Sequence, residues 1–248
     1  MDLGIKGKRA LVCASSKGLG RGCAEALAEA GVNLVLNARG AEALEATAAH
    51  IRSTYGVEVT AVAADITSED GRAAVLAAAG DIDILVTNAG GPPPGVWSDW
   101  SRDDFIAAID GNMLAPIALM QAALPGMIAR GWGRVVNITS GSVKAPIPQL
   151  GLSNAARTGL TGFVAGTARQ VAEKGVNINN LLPGIHDTDR AVSLDTGVSN
   201  AQGITMDQAR TQREGTIPAR RYGTAAEFGA TCAFICSQHA GFMVGQNI

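Results

Sequence analysis

The sequence predicts an α/β fold: one open, doubly wound parallel sheet with helices on both faces. Three observations carry this expectation. Short, nearly continuous apolar runs recur along the chain, as strands buried on both faces require. Amphipathic segments alternate with them in a βαβ order, which folds as a parallel sheet with right-handed crossovers. No Pro/Gly/Ser linker, low-complexity tract or repeat divides the chain, so residues 1–248 are expected to form a single domain.

The strand segments are "RALVCA" (9–14), "VNLVLNA" (32–38), "VEVTAVAAD" (57–65), "IDILVTNAG" (82–90), "GRVVNITS" (133–140) and "VNINNLLPG" (176–184). A helix is predicted over 19–31, where Leu19, Cys23, Leu27 and Ala30 share a face and Gly31 ends the run. Long helices are predicted over 102–130 and 151–174. Ser101 with Asp104, and Thr224 with Glu227, have the spacing of capping boxes and mark two helix starts. The stretch 186–216 breaks the rhythm, being long, polar and weakly periodic. It reads as a lid or binding loop, or as a partly disordered segment.

Composition narrows the function. Hydrophobic residues make up 47% of the chain, enough for a sizeable core, and the 31 glycines imply many tight turns or close backbone contacts. A net charge of −2 gives no reason to expect nucleic acid or an anionic membrane as partner. The N-terminal "MDLGIKGKRALVCASS" has no signal-peptide core and no apolar run approaches membrane-spanning length, so a cytoplasmic protein is expected. Cys13, Cys23, Cys232 and Cys236 have neither zinc nor disulfide spacing and read as buried thiols. His50, His186 and His239 are scattered, and no metal site is expected.

After the first strand comes "CASSKGLGRG" (13–22), then a helix. Gly18 and Gly20 allow close backbone approach where free N–H groups and the helix dipole attract a phosphate. The P-loop pattern is absent. At the end of the second strand, "NARG" puts Asn37, Ala38 and Arg39 where a dinucleotide fold meets the adenosine ribose. An acidic residue there favours a free 2′-hydroxyl. Arg39, with Lys17 from the glycine loop, points instead to a 2′-phosphate and hence to NADP.

These motifs, with "DIT" (65–67), "TNAG" (87–90), Asn112, "GRVVNITS" (133–140), "PGIHDT" (183–188) and "GQN" (245–247), resemble short-chain dehydrogenases/reductases, in particular the 3-oxoacyl-ACP-reductase-like branch. The resemblance runs in order along essentially the whole chain. It implies a Rossmann-type sheet and a dinucleotide held by Ser16, Lys17, Gly18, Leu19 and Gly20 at the pyrophosphate. Asp65 and Ile66 would meet adenine, and Asn88, Ala89 and Gly90 would line the dinucleotide. Pro183, Gly184, Ile185 and Thr188 would hold the nicotinamide end. Ala14 stands where the family usually has its first glycine.

The family's chemistry uses a Ser that polarises a carbonyl and a Tyr that transfers the proton. A Lys four residues later lowers the Tyr pKa and binds ribose, and a helical Asn supports a water relay. Ser140 matches the Ser and Asn112 the Asn. The stretch "LSNAARTGL" aligns with the family's helix so that Leu150 falls on the Tyr and Asn154 on the Lys. Neither can do that work. Tyr55 and Tyr222, the remaining tyrosines, lie in segments not expected at the nicotinamide.

Substitute groups are sought in "TSGSVKAP" (139–146), where Thr139, Ser140, Ser142 and Lys144 follow the fifth strand. Lys144 is the candidate cation or donor, and His186 the second candidate acid. The stiff loop "GGPPPG" (90–95), with Trp97 and Trp100, is expected to wall an apolar substrate pocket. Two readings follow: an NADP-dependent enzyme interconverting a carbonyl and an alcohol with a rearranged proton donor, or a catalytically silent NADP-binding sensor or hetero-oligomer subunit. The small-residue faces of helices 102–130 and 151–174 suggest a homotetramer or homodimer.

Overall fold

The computed structural model describes all 248 residues. Six parallel strands form one sheet in the order β3-β2-β1-β4-β5-β6. They are β1 (Arg9–Val12), β2 (Asn33–Ala38), β3 (Val59–Ala63), β4 (Ile84–Thr87), β5 (Gly133–Ile138) and β6 (Val176–Leu181). The chain winds outward from β1 to β3, then returns to lay β4 on the other side of β1. The strand order therefore reverses between β1 and β4, and ligands bind at the C-terminal edge of such a switch point. Every expected strand is present; β2 ends with its apolar run at Ala38, and the other five end two or three residues before theirs.

Alternate residues of each strand feed two separate cores. Ala10, Val12, Leu34, Leu36, Ile84, Val86 and Val136 pack against α1 (Gly18–Glu29), α2 (Ala41–Tyr55) and α9 (Ala225–Cys236). Leu11, Val35, Leu85, Val135 and Ile178 point the other way, against α3 (Glu69–Ala79), α5 (Ala115–Arg130) and α6 (Gly151–Val171). This period-two division makes the central strands β1 and β4 largely apolar, whereas β5 and β6 also bury Arg134, Asn137, Asn177, Asn179 and Asn180. On the first face, α1 and α9 cross at backbone contact. A Cβ on Gly22 would lie 2.2 Å from the Ala225 carbonyl oxygen, and one on Gly229 would lie 2.1 Å from that of Gly22.

The helix expected over 102–130 is three pieces. After α4 (Arg102–Ile109), residues Asp110–Leu114 form a π-helical turn that carries Asn112, and α5 continues from Ala115. By length and composition Arg102–Arg130 would suffice to cross a membrane. Here it covers the sheet, with Leu119, Met120 and Met127 fully buried. Both expected capping boxes form: Ser101 with Asp104 opens α4, and Thr224 with Glu227 opens α9.

The segment 186–216 is not a loop. It folds as α7 (Asp189–Gln202) and α8 (Met206–Thr216). Thr188 caps α7 by accepting from the Ala191 N–H, Gly203 ends it in a left-handed conformation, and Thr205 with Gln208 forms a third capping box. A buried cluster joins the two helices. Asp195, 2% exposed, accepts the Tyr222 hydroxyl at 2.9 Å on each carboxylate oxygen and the Arg213 Nε at 2.8 Å.

Candidate active site

A cavity of about 1290 Å³ opens at the C-terminal edge of the sheet. One end is the loop from β1 to α1. There Lys17 is the N-cap of α1 and offers no side-chain cap, and the first turn has no acidic residue. The first N–H groups of a twelve-residue helix are thus free and face a cavity that Gly18 and Leu19 line. That is the donor set a pyrophosphate needs. Gly20 sets the fit: a Cβ there would lie 2.2 Å from the Ala14 carbonyl oxygen and 3.0 Å from the Asn88 amide nitrogen. Ala14 itself has φ 47°, a left-handed conformation that costs a non-glycine residue about 1–2 kcal/mol. The alanine thus adds backbone strain as well as a methyl group.

Of the residues expected to hold a dinucleotide, Lys17, Gly18, Leu19, Asn88, Ala89, Gly90, Pro183, Gly184, Ile185 and Thr188 all line this one cavity. Gly90 and Gly184 have no atom within 4 Å of the place a Cβ would take, so the backbone leaves open space on both sides. These features fit a dinucleotide. Arg39, Asp65 and Ile66, the residues expected at the adenosine end, do not line this cavity. Arg39 is exposed, and Ile66 is buried. Asp65 is exposed, and its carboxylate accepts from the Thr67 N–H and hydroxyl, which holds its pKa down.

Two expectations at this end are corrected. Asn37 is buried and gives its amide to the Val62 and Ala64 carbonyls at 3.0 Å, so it ties β2 to β3 rather than facing a ribose. Lys17 does not reach toward Arg39. Its ammonium pairs with Asp189 at 2.5 Å, across the mouth of the cavity at the start of α7.

The other end of the cavity carries the polar side chains expected to take part in the chemistry. Ser140 ends the β5 run, and its Oγ accepts the Ser142 N–H at 3.1 Å. Thr139, Ser142 and Ser153 also line the wall. The Oγ atoms of Thr139 and Ser142 are buried and have no partner, as do Oδ1 of Asn112 and Oδ1 of Asn154. Orphaned buried acceptors are rare, because each forfeits its hydration without return. Thr139 and Ser142 line the cavity, whereas Asn112 and Asn154 do not, so the two orphaned hydroxyls mark the wall beside Ser140 as a place that a ligand or bound water can complete.

Lys144 is not where the sequence reading put it. It follows the short 3-10 turn Gly141–Val143, is exposed, and lies outside the cavity lining. His186 does line the cavity, with Nδ1 3.3 Å from the Gly184 carbonyl oxygen and its ring edge-on to Phe228. Leu150 lines the wall. Asn154 donates to the Ile147 carbonyl at 2.9 Å and does not line the cavity. Pro92 and Pro94 contribute to the wall, but the tryptophans do not: Trp97 is 87% exposed, and Trp100 packs on Phe105 and Gly151.

The sequence reading missed two contributors. Leu194, Val198 and Ala201 of α7 add an apolar wall to the cavity, from within the segment 186–216 whose individual residues had not been singled out. Arg157 is 7% exposed, yet also lines the cavity. Its Nη1 donates to the Ile138 carbonyl at 2.8 Å and its Nη2 to that of Ala89 at 3.5 Å. Burial, then the like charge of Arg190, lowers its pKa to about 10, so it remains a cation at neutral pH. A charged residue within the apolar face Leu152–Ala156–Leu160–Val164 was the available signal.

Comparison with known proteins agrees with this geometry. A sequence model of the short chain dehydrogenase family matches residues 8–198. The 3-oxoacyl-[acyl-carrier-protein] reductase of Vibrio cholerae is 31% identical, over 99% of this chain and 96% of its own. The corresponding reductase of Aquifex aeolicus is 30% identical over 100% and 97%. Among solved structures, the L-sorbose reductase of Gluconobacter frateurii, in complex with NADPH and L-sorbose, superposes with a TM-score of 0.94. It is 27% identical and covers 100% of this chain and 96% of its own.

Proposed function

The chain belongs to the short-chain dehydrogenase/reductase family of oxidoreductases, in its 3-oxoacyl-ACP-reductase-like branch, and from that premise we propose that it is an NADP-dependent enzyme interconverting a carbonyl and an alcohol. The observation that carries the reading is the continuity of one cavity from the α1 N-terminus to the orphaned hydroxyls beside Ser140. The bound nicotinamide supplies or accepts the hydride. The chain supplies binding and orientation. Free N–H groups at Gly18 and Leu19 take the pyrophosphate, and exposed Arg39 takes the 2′-phosphate. The NADPH complex of the L-sorbose reductase supports the choice of NADP.

At the chemical end, the Ser140 hydroxyl donates to the substrate oxygen, and Ser142 and Thr139 are placed to support it. Carbonyl reduction leaves an alkoxide that needs donors within reach. Leu150 can give no proton, and Lys144 points elsewhere. In this reading the proton comes from a water in the cavity, with His186 as the alternative acid. The apolar lid residues and the prolines favour a mostly apolar ketone, such as a 3-oxoacyl compound. The proposed partner is a small-molecule carbonyl or alcohol, and the proposed setting is cytoplasmic.

The helix α6 exposes Ala155, Gly159, Gly162, Ala165 and Gly166 on one side, a surface with which a second copy can pack closely. A homotetramer or homodimer is the proposed state, and sedimentation as a concentration-independent monomer would sink it. A second reading, a silent NADP-binding subunit or sensor, is favoured by Leu150 and Asn154 alone. A panel of 3-oxoacyl thioesters, ketones and alcohols, followed at the nicotinamide absorbance with NADPH and NADP, separates the two. Tight NADPH binding without turnover of any compound would support the silent reading.

A further inference from the structure

We propose that Arg157 is the cation of the nicotinamide end, donating to the ribose beside the nicotinamide where the family pattern would place a lysine at position 154. The proposal rests on the dinucleotide reading above. It assigns a task to the one buried guanidinium that lines the cavity.

Helix geometry explains how a residue one turn further along can serve. Side chains in an α-helix tilt toward its N-terminus, so a long side chain covers surface over the turn before its own Cα. Arg157 therefore reaches back over the ground of Asn154, whose own amide is committed to the Ile147 carbonyl. Leu150, Ser153 and Arg157 form one stripe facing the cavity. The guanidinium rests between the ends of β4 and β5, held by the carbonyls of Ala89 and Ile138.

Its partners show what it awaits. Guanidinium has five N–H donors, and two are used here, one of them at a long 3.5 Å. No carboxylate acts on it, and Arg190 repels it. A buried charge so lightly compensated is costly to keep unless a ligand completes it. The chemistry of the surroundings selects the ligand. A carboxylate entering here would meet the lone pairs of two carbonyl oxygens. A hydroxyl fits both neighbours, accepting from the guanidinium while donating to the Ala89 carbonyl. A vicinal diol does this twice, and the dinucleotide carries such a diol beside its nicotinamide.

The test needs no substrate. NADPH carries both riboses, whereas adenosine 2′,5′-bisphosphate carries only the phosphorylated adenosine half. Dissociation constants for both are measured by calorimetry for the wild type, Arg157→Met and Arg157→Lys. Losing a charged hydrogen bond predicts that Arg157→Met weakens NADPH about tenfold or more and leaves the bisphosphate within about twofold. Arg157→Lys, which keeps the charge but not the planar fork, should lie between. Equal losses for both ligands, or no loss for either, overturn the proposal. Retained bisphosphate binding also certifies folding. If Arg157→Met does not fold, Arg157→Lys decides alone, and a preserved NADPH-to-bisphosphate ratio refutes the assignment. Failure of the wild type to bind either ligand is a different result, because it sinks the dinucleotide reading itself.

Discussion

Replacing Asp195 by asparagine should melt the lid and spare the sheet. The carboxylate is 2% exposed and receives two donors, the Tyr222 hydroxyl, which lies 2.9 Å from both carboxylate oxygens, and the Arg213 Nε. Burial and the bond to Asp195 raise the Tyr222 pKa to about 12, so its hydroxyl remains a donor across the neutral range. Asparagine keeps the shape and one acceptor but leaves the Arg213 guanidinium without its counter-charge. Removing one partner of a buried pair typically costs about 3–5 kcal/mol. The Arg213 side chain retains 18% exposure and can draw some water, which favours the lower end, about 3 kcal/mol. That equals roughly a hundredfold in an opening equilibrium. The cluster joins α7, α8 and Tyr222 and touches no strand, so the loss should fall on local opening. Hydrogen exchange should then accelerate about a hundredfold over 189–216 while β1, β4 and β5 keep their protection. Adding Arg213→Gln to the variant should restore part of the loss, since the uncompensated charge goes with it. Unchanged exchange in α7 and α8, or an equal acceleration in lid and sheet, would refute the reasoning.

Arg39→Ala should weaken NADPH about tenfold or more in a fluorescence titration and leave NADH nearly unchanged, since only the 2′-phosphate is lost. Equal losses would remove Arg39 from the cofactor site. Gly20→Ala should abolish tight NADPH binding, because its Cβ would lie 2.2 Å from a backbone oxygen that cannot yield without moving the phosphate loop. Native affinity in that variant would show the loop to be free to shift. All four cysteines are fully buried, and burial raises the Cys13 pKa to about 12. At pH 8.5 a folded-state thiolate is therefore scarce, and an alkylating reagent should label the native protein slowly and the denatured protein four times over. Rapid labelling of the native protein would contradict the packing.

The parts of the fold governed by local rules were legible in the sequence. Strands showed as apolar runs because both sheet faces are covered, and Ser101 and Thr224 announced their helices through capping chemistry. The lid was misread because α7 and α8 bury little, chiefly Ala191, Asp195 and Ala209, so their apolar periodicity is faint. Their caps at Thr188 and Thr205, and the glycine stop at 203, were the better guide. Lys144 was misplaced for a different reason. Nearness to Ser140 in sequence does not set direction, and a three-residue 3-10 turn is enough to send a side chain to solvent. Arg157 escaped notice because aligned positions 150 and 154 drew attention to what is missing. The buried guanidinium lies one turn further along the helix, at a residue type that burial normally forbids.

The π turn at Asp110–Leu114 holds one residue more per turn than the helices it joins. It therefore acts as a phase shifter. Relative to a continuous α-helix, the faces of α4 and α5 are offset by the angle of one residue, about 100°. Deleting a single residue there would leave composition, hydropathy and length almost unaltered, and the stretch would close into an uninterrupted helix. The faces of α4 and α5 would keep their places, because the turn absorbs that one residue, and the change would fall on the bulge itself, which carries Asn112 and its orphaned oxygen. Such a deletion is neutral by every measure of composition, yet it separates folding from function at one codon.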